Sequence, residues 1–315
     1  MLSRIGSKNV SQIKVTKLLL GEDSQCLLVS VGSTVFTQQI DDLKSCQAIL
    51  SEDSKQSINK KEFKHIIPVP EGMSSGCLVG RLICSSSKAD SKKSKHFPCF
   101  WEQKNSEWHP VVVESIKNMT GDLIFVSKNK NLIIGNCYGD VAGEAKLNTH
   151  GFIYNMLYKN LIKIGEKKGN NFQGISCKIN ACSKDGSLSV GEYNGLPAIF
   201  NYHAGPLESV SIETENGPGS IRGMISDGCV LYGELDGIAC IWIKNNQNAY
   251  ARESLLELIK RKGLEPLQKY KNLRIIKISD DRKLMLVAAR ILRSSNRSGC
   301  DVTNKIYLVF IDGLD

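Results

Sequence analysis

The sequence predicts an all-β protein, a β-propeller of about six four-stranded blades with seven as the alternative count, and three observations support this fold class. Residues 185–200 and 227–242 carry one motif twice, 42 positions apart and without a gap. A fixed period of roughly 40 to 50 residues built from short strands is typical of propellers. Each copy also has a large aromatic residue in its third strand, as expected of side chains packed between neighbouring sheets.

Each position of the motif has a structural role. Its tight turn, Asp185-Gly186 or Asp227-Gly228, supplies the positive φ that a short hairpin needs. The second strand ends at a glycine where the backbone passes close to a neighbour, and these glycines are Gly191 and Gly233. The blade aromatics predicted from the motif are Trp101, Tyr154, Phe200, Trp242 and Tyr307.

Four further copies are diverged, and their turns are Asp23-Ser24, Ser75-Gly76, Asn129-Lys130 and Asp281-Arg282. We therefore expect a single propeller domain over residues 1–315, with repeat units at about 10–50, 62–114, 115–166, 172–213, 218–250 and 270–315. The last copy stops soon after its third strand. The segment Val10–Val15 alternates as a strand does, and it either completes the last sheet or begins the first blade.

Two insertions interrupt the repeats. Residues 85–96 are polar and rich in lysine, which predicts a surface loop. Residues 251–267 contain a short amphipathic helix near 254–263, because Ser254 and Glu257 form a capping box and Gly263 is a stop signal.

The composition of the chain indicates the cellular compartment of the protein. The chain has 315 residues and a net charge of +9, spread evenly along its length. No apolar run approaches the roughly 18 residues of a membrane span, and residues 1–9 lack the apolar region of a signal peptide. Eleven cysteines without a Cys-x-x-Cys pair favour buried reduced thiols, so we expect the protein in the cytoplasm, a reducing compartment. We also expect a monomer.

No motif for catalysis, metal binding or a cofactor is found, so the sequence predicts no catalytic residue, no metal site and no cofactor. Two basic clusters are the candidate binding residues: Lys92, Lys93 and Lys95, and Lys260, Arg261 and Lys262. The second cluster also suits the last turn of a helix. Few aromatic residues lie between these charges, which argues against nucleic acid as the ligand.

The strand His150-Gly151-Phe152, and turns such as Asp185-Gly186 followed by Gly191, resemble the bacterial His-Ala-Phe (HAF) repeat family. Residues 255–289 are similar to the terminal unit of that family. The resemblance covers most of residues 70–311 and implies a β-propeller-like fold. It carries no established catalytic residue, so none is assigned from it.

The leading functional hypothesis is a non-enzymatic propeller that binds a protein partner, which the sequence does not identify. An extension of it is a bacterial effector that enters a host cell without a classical signal peptide. One alternative is a propeller-type hydrolase or lyase with its site in the central channel. Another is a binder of anionic surfaces through the two basic clusters.

Overall fold

A computed structural model of the chain describes most of the repeats. The described residues are 15–20, 26–31, 34–39, 47–50, 63–74, 76–86, 94–104, 107–113, 120–139, 148–164, 176–202, 211–225, 227–263, 267, 270, 272–294 and 300–310.

The described residues form six antiparallel sheets, each made of strands consecutive in sequence. Sheet 1 contains β1 (Val15–Leu20), β2 (Cys26–Val31), β3 (Thr34–Gln39) and β4 (Gln47–Leu50). Sheet 2 contains β5 (Phe63–Ser74), β6 (Cys77–Ser86), β7 (Ser94–Lys104) and β8 (Glu107–Val112). Sheet 3 contains β9 (Gly121–Val126), β10 (Leu132–Gly139), β11 (Asn148–Asn155) and β12 (Asn160–Ile164).

Sheet 4 contains β13 (Cys177–Cys182), β14 (Leu188–Tyr193), β15 (Leu196–Asn201) and β16 (Ser211–Thr214). Sheet 5 contains β17 (Gly219–Met224), β18 (Val230–Leu235), β19 (Ile238–Lys244) and β20 (Tyr250–Ser254). Sheet 6 contains β21 (Leu273–Ile278), β22 (Leu284–Ser294) and β23 (Cys300–Phe310).

The sheets are arranged as the blades of a propeller. From sheet 3 to sheet 6, the first strand of each sheet contacts the first three strands of the sheet before it, so that β13, for example, contacts β9, β10 and β11, while sheets 1 and 2 meet through β4 and β8. The first strand of the last sheet, β21, also contacts β1 and brings sheet 6 back to sheet 1. The first strands are therefore the innermost ones, and the predicted all-β propeller is confirmed with six sheets in the described residues.

The hydrophobic core lies between successive sheets rather than within one. One cluster joins Ile134 and Ile153 of sheet 3 to Ile179 and Phe200 of sheet 4. The next joins Val190 of sheet 4 to residues of sheet 5. This is the packing expected of blades stacked face to face.

The aromatic position of the motif is set by register. Trp101, Tyr154, Phe200 and Trp242 are all buried, and each lies two residues after the partner of the second-strand glycine. Tyr307 does not share that place, because it pairs with Val287, the residue that replaces the glycine. The equivalent residue in sheet 6 is Val309, which is buried. The assignment of Tyr307 as the blade aromatic is therefore corrected: an aliphatic side chain takes the position in this diverged copy.

The tight turns keep their geometry where glycine is lost. In four of them a side-chain Oδ1 accepts a hydrogen bond of 2.8–3.1 Å from the backbone N–H two residues later, and these side chains are Asn129, Asp185, Asp227 and Asp281. The residues that follow them have φ between +59° and +77°, and they are Lys130, Gly186, Gly228 and Arg282. The side-chain hydrogen bond thus holds lysine and arginine in a conformation that glycine adopts without strain.

Helix α1 (Leu255–Arg261) follows β20 directly. Ser254 accepts from the Glu257 N–H, and the Glu257 carboxylate accepts from the Ser254 N–H, which is the predicted capping box. The buried face of the helix, Leu255, Leu258 and Ile259, belongs to the core between sheets 5 and 6. The preceding strand continues to Ser254, whereas the insertion was expected to begin at residue 251.

The other predicted segments differ in extent. The polar loop expected at 85–96 is shorter, because β6 reaches Ser86 and β7 starts at Ser94, with Ser85 paired to Ser94. Residues 10–14 lie outside the described residues, and Val15 begins β1, the first strand of sheet 1.

Candidate functional site at the sheet junctions

Every innermost strand carries a β-bulge. In its pairing with the second strand, one residue is skipped, or two in the case of β5, and the skipped residues are Thr16, Lys64, Glu71, Ile124, Asn180, Arg222 and Ile276. A bulge bends the strand and re-aims the side chain of the extra residue. The bulges therefore determine which side chains reach the channel side of the propeller.

In sheets 4 and 5 the second-strand glycine lies directly against the bulged strand, whereas Val287 takes that place beside the bulge of sheet 6. A Cβ on Gly191 would lie 1.8 Å from the carbonyl oxygen of Lys178, and a Cβ on Gly233 would lie 2.1 Å from that of Ser220. No side chain fits into that space. The glycines found in the sequence motif are thus required by the close approach of the bulged strand.

The residues that follow the second-strand glycines Gly80 and Gly135 contact the next innermost strand. At the 2–3 junction (Arg81, Asp122 and Tyr138), Arg81 Nη1 lies 2.9 Å from Asp122 Oδ2, and the Tyr138 hydroxyl donates to the same oxygen at 2.6 Å. The Asp122 side chain is only 6% exposed. A buried carboxylate is held here by a guanidinium and a phenol, an arrangement that neutralises its charge.

At the junction of sheets 3 and 4 an amide replaces the ion pair. The buried Asn136 donates from Nδ2 to the Ile179 carbonyl at 2.8 Å and accepts from the Ile179 N–H at 2.7 Å. One blade further, the bulge residue Asn180 donates from Nδ2 to the Ile221 carbonyl at 2.8 Å and to Ser220 Oγ at 3.0 Å. These amides fix the backbone of the next blade, which is a structural task.

The 5–6 junction (Arg222, Glu234 and Arg274) carries an excess of positive charge. Arg222 Nη2 lies 2.6 Å from Glu234 Oε1, and both side chains are partly exposed. Arg222 Nε is buried and donates no hydrogen bond. Desolvation by surrounding protein atoms and then the charge of Arg222 lower the pKa of Arg274, while the charge of Glu234 raises it. One carboxylate thus pairs with Arg222 and interacts through its charge with Arg274, and the surplus of positive charge suits binding of an anion.

Two of the thiols, those of Cys177 and Cys182, are held in the protonated form. Burial raises the pKa of Cys177 and that of Cys182 to about 12. A thiol reacts as the thiolate, so both groups stay in the unreactive form near neutral pH. Within the described part of the chain, no three His, Cys, Asp or Glu side chains are grouped so that they could hold a metal ion.

The two basic clusters predicted from the sequence are not brought together. Arg261 is engaged with Glu253, with Nε to Oε1 at 3.0 Å and Nη2 to Oε2 at 2.8 Å. Lys260 is exposed on α1, and Lys262 caps the helix through its backbone N–H. Lys95 lies in β7, whereas Lys92 and Lys93 lie outside the described residues. Lys95 belongs to sheet 2 and α1 follows sheet 5, three positions further along the ring of six, so the structure does not bring Lys95 to the second cluster.

The hairpin between β11 and β12 exposes apolar side chains that the sequence patterns did not single out. We call Met156, Leu157, Tyr158 and Leu161 the apolar tip; Leu157 is 66% exposed and Tyr158 is 55% exposed. Ile238, in the β18–β19 hairpin, is the one other large apolar residue exposed among the described side chains. The signal in the sequence is an apolar triplet at a turn, where polar residues are the rule.

The backbone of the apolar tip is held in place. Asn155 Oδ1 accepts from the N–H groups of Leu157 and Tyr158 at 3.0 and 3.2 Å. The Met156 N–H donates to the Asn131 carbonyl in the neighbouring turn at 2.7 Å. These bonds fix the backbone of the tip against the neighbouring turn, and Lys128 and Lys159, which lie in the two turns, are exposed.

In the part of the chain that the structure describes, no helix has the length and apolar character needed to cross a membrane.

No protein-family model matches the sequence, and no curated protein matches it. Among solved structures, the chain is similar to a protein assigned as TolB from Agrobacterium tumefaciens, with 11% identity, a TM-score of 0.44 and coverage of 78% of this chain and 81% of that one. It is similar to KlAtg21, solved with the coiled coil of AgAtg16, with 13% identity, a TM-score of 0.42 and coverage of 95% and 99%. It is also similar to a protein from Lactobacillus plantarum, with 13% identity, a TM-score of 0.43 and coverage of 92% and 81%.

Proposed function

We propose that the protein is a non-enzymatic propeller scaffold that binds a protein partner through the apolar tip. The observation that carries the proposal is the exposure of Leu157 and Tyr158 on a hairpin whose backbone is fixed. Clustered exposed apolar side chains mark interaction sites, and tyrosine is enriched among the residues that dominate binding energy.

The charges around the tip indicate the chemistry of the partner. Lys128, Lys159 and Lys163 are exposed close to the apolar side chains, and residues 148–164 contain no acidic residue. An acidic segment with apolar side chains would complement both features. We therefore propose a partner segment of that composition.

The charged groups near the channel favour binding over acid–base chemistry. At the 2–3 junction the carboxylate of Asp122 is already paired with Arg81 and Tyr138. At the 5–6 junction the one carboxylate, Glu234, is paired with Arg222. A general acid or base needs a proton within reach of a substrate, and these pairs supply none.

The cellular setting is part of the proposal. Buried thiols suit a reducing compartment, in line with the cytoplasmic location expected from composition. A relation to the HAF-repeat family, and action of a bacterial effector on a host protein, are extensions that a partner of host origin would support.

The test uses the full chain and a matched control. Leu157→Ser with Tyr158→Ser removes the tip, and Ile238→Ser removes the exposed apolar residue of another hairpin. A photo-reactive amino acid at position 158 identifies the partner and the segment that it contacts, and the affinity of the purified partner is then measured by calorimetry. We expect Kd to rise by about tenfold or more for the tip variant, the loss of about 1.4 kcal/mol that one such anchor contributes, and to change little for Ile238→Ser.

Two outcomes would overturn the proposal. One is equal affinity of the tip variant and the wild type for the cross-linked partner. The other is retention on vesicles rich in phosphatidylserine, abolished by the same tip variant, since the tip would then be an element for membrane contact. A cross-linked segment without acidic residues would reject the proposed partner chemistry.

A further inference from the structure

The bulge in β17 gives Arg222 a place that is unusual within this protein. Among the bulge residues whose side chains are described, the others are Ile124, Asn180 and Ile276, so Arg222 is the charged one. Its guanidinium reaches Glu234 on the next strand through Nη2, while Nε is buried without an acceptor. The Nε–H group of this charged side chain thus has no hydrogen-bond partner within the protein.

A second guanidinium comes from the following blade. Arg274 lies in β21, at the repeat position that Asp122 occupies in β9, and it interacts electrostatically with both Arg222 and Glu234. With two guanidiniums and one carboxylate, the junction has a formal charge of +1. The surplus is not buried, since the Glu234 side chain is 36% exposed and Arg274 is an exposed residue.

We propose that the 5–6 junction is a binding site for the carboxylate group of a small ligand. A carboxylate accepts two parallel hydrogen bonds from a guanidinium, and one negative charge balances the surplus. The site is independent of the apolar tip, which lies on sheet 3.

Charge balance favours a carboxylate over a phosphate. A phosphate dianion carries two negative charges, so the occupied junction would have a net charge of −1, whereas a carboxylate brings the net charge to zero. The second negative charge of the phosphate would be repelled by Glu234. Net charge thus distinguishes the two oxyanions, although both accept hydrogen bonds from guanidinium groups.

The test is a titration of the full chain with acetate, succinate and inorganic phosphate at constant ionic strength. Binding is followed by the NMR signal of the Arg222 Nε–H group and by the thermal unfolding midpoint, which rises when a ligand binds the folded state. We expect a saturable shift of the Arg222 signal with acetate and succinate. Arg274→Gln should weaken binding by about tenfold or more, as expected for loss of charged hydrogen bonds. Arg274→Lys keeps the charge without the planar donor pair and should fall between.

Glu234→Gln gives the sharpest prediction, because it removes the internal competitor and should tighten carboxylate binding. A merely structural role of Glu234 would not produce a gain. The matched control is Arg252→Gln, which breaks the exposed ion pair between Arg252 of sheet 5 and Glu215 and should leave the titration unchanged.

The proposal is overturned by shifts that grow linearly without saturation, which would show ionic-strength effects only. It is also overturned when phosphate binds more tightly than the carboxylates, or when Arg274→Gln and Arg274→Lys both bind as the wild type does. Loss of binding in Arg252→Gln would place the anion elsewhere and has the same consequence.

Discussion

The 2–3 junction and the 5–6 junction occupy the same repeat positions with opposite polarity. Arg81 on β6 faces Asp122 on β9, whereas Glu234 on β18 is the counterpart of Arg81 and Arg274 on β21 that of Asp122. In the first junction one carboxylate has two donors and is buried. In the second, the carboxylate of Glu234 pairs with Arg222, interacts through its charge with Arg274 and is partly exposed.

The difference shows that one repeat position of the propeller can either hold two blades together or bind a ligand. A closed pair such as Arg81–Asp122 fixes the register between two blades, because a shift of one blade would leave the buried carboxylate without its counter-ion. An open pair with surplus charge adds little stability, because solvent screens it. It leaves donors for a ligand instead, and the comparison can be tested by removing the carboxylate from each junction.

The largest expected effect is that of Asp122→Asn. The change leaves the Arg81 guanidinium without its counter-ion in a buried setting, so the free energy of unfolding should fall by about 3 kcal/mol. The matched change at the other junction, Glu234→Gln, should cost about 1 kcal/mol or less, because the pair is exposed. Urea unfolding followed by tryptophan fluorescence measures both.

Equal costs for the two substitutions would break the comparison. A larger cost for Glu234→Gln would show that the open junction is the one that holds the blades together.

A smaller effect is expected where the junctions are alike. A Cβ on Gly135 would lie 2.1 Å from the Asp122 carbonyl oxygen, and one on Gly233 would lie 2.1 Å from that of Ser220. Gly135→Ala and Gly233→Ala should therefore each lower the free energy of unfolding by about 2 kcal/mol, since the bulged strand must move away.

Gly237→Ala is the control, because its Cβ would meet nothing within 4 Å and the cost comes from φ of +75° alone. We expect about 1 kcal/mol for it. A tolerated Gly233→Ala beside a damaging Gly135→Ala would show that the two junctions do not share the bulge.

The sequence contained most of the fold, because the repeat positions with strict steric demands were visible in it. Gly191 and Gly233 recur 42 residues apart since a bulged strand presses on both. Lys130 and Arg282 were recognisable as diverged turns because the preceding Asn129 and Asp281 hold the geometry. Tyr307 misled because an aromatic residue near the end of a strand gives no register by itself, and register follows from its pairing with Val287.

The candidate sites were less accessible to sequence reasoning. Arg81 and Asp122 are 41 residues apart and meet because one blade ends where the next begins, so their pairing becomes visible only when neighbouring blades are stacked. Leu157 and Tyr158 are ordinary strand formers, and their exposure depends on a turn closed by Asn155. The close approach of a bulged strand recurs in several blades and leaves a repeated glycine in the sequence, whereas each candidate binding surface occurs once and leaves no repeated signal.

The smallest predicted effect is a pH dependence of stability at the 2–3 junction. Burial and then the charge of Arg81 lower the pKa of His96 from the ordinary value of 6.5, and the charge of Asp122 opposes them. The unfolded chain therefore binds this proton more readily than the folded one, so stability is full above pH 6.5 and is lost as pH falls below it. His96→Gln should flatten the decline in the free energy of unfolding between pH 7 and pH 5. Asp122→Asn should steepen it, because the group that favours the charged imidazole is gone. Unfolding curves at a series of pH values measure the slopes, and identical slopes for the wild type and both variants would show that His96 is not coupled to the 2–3 junction.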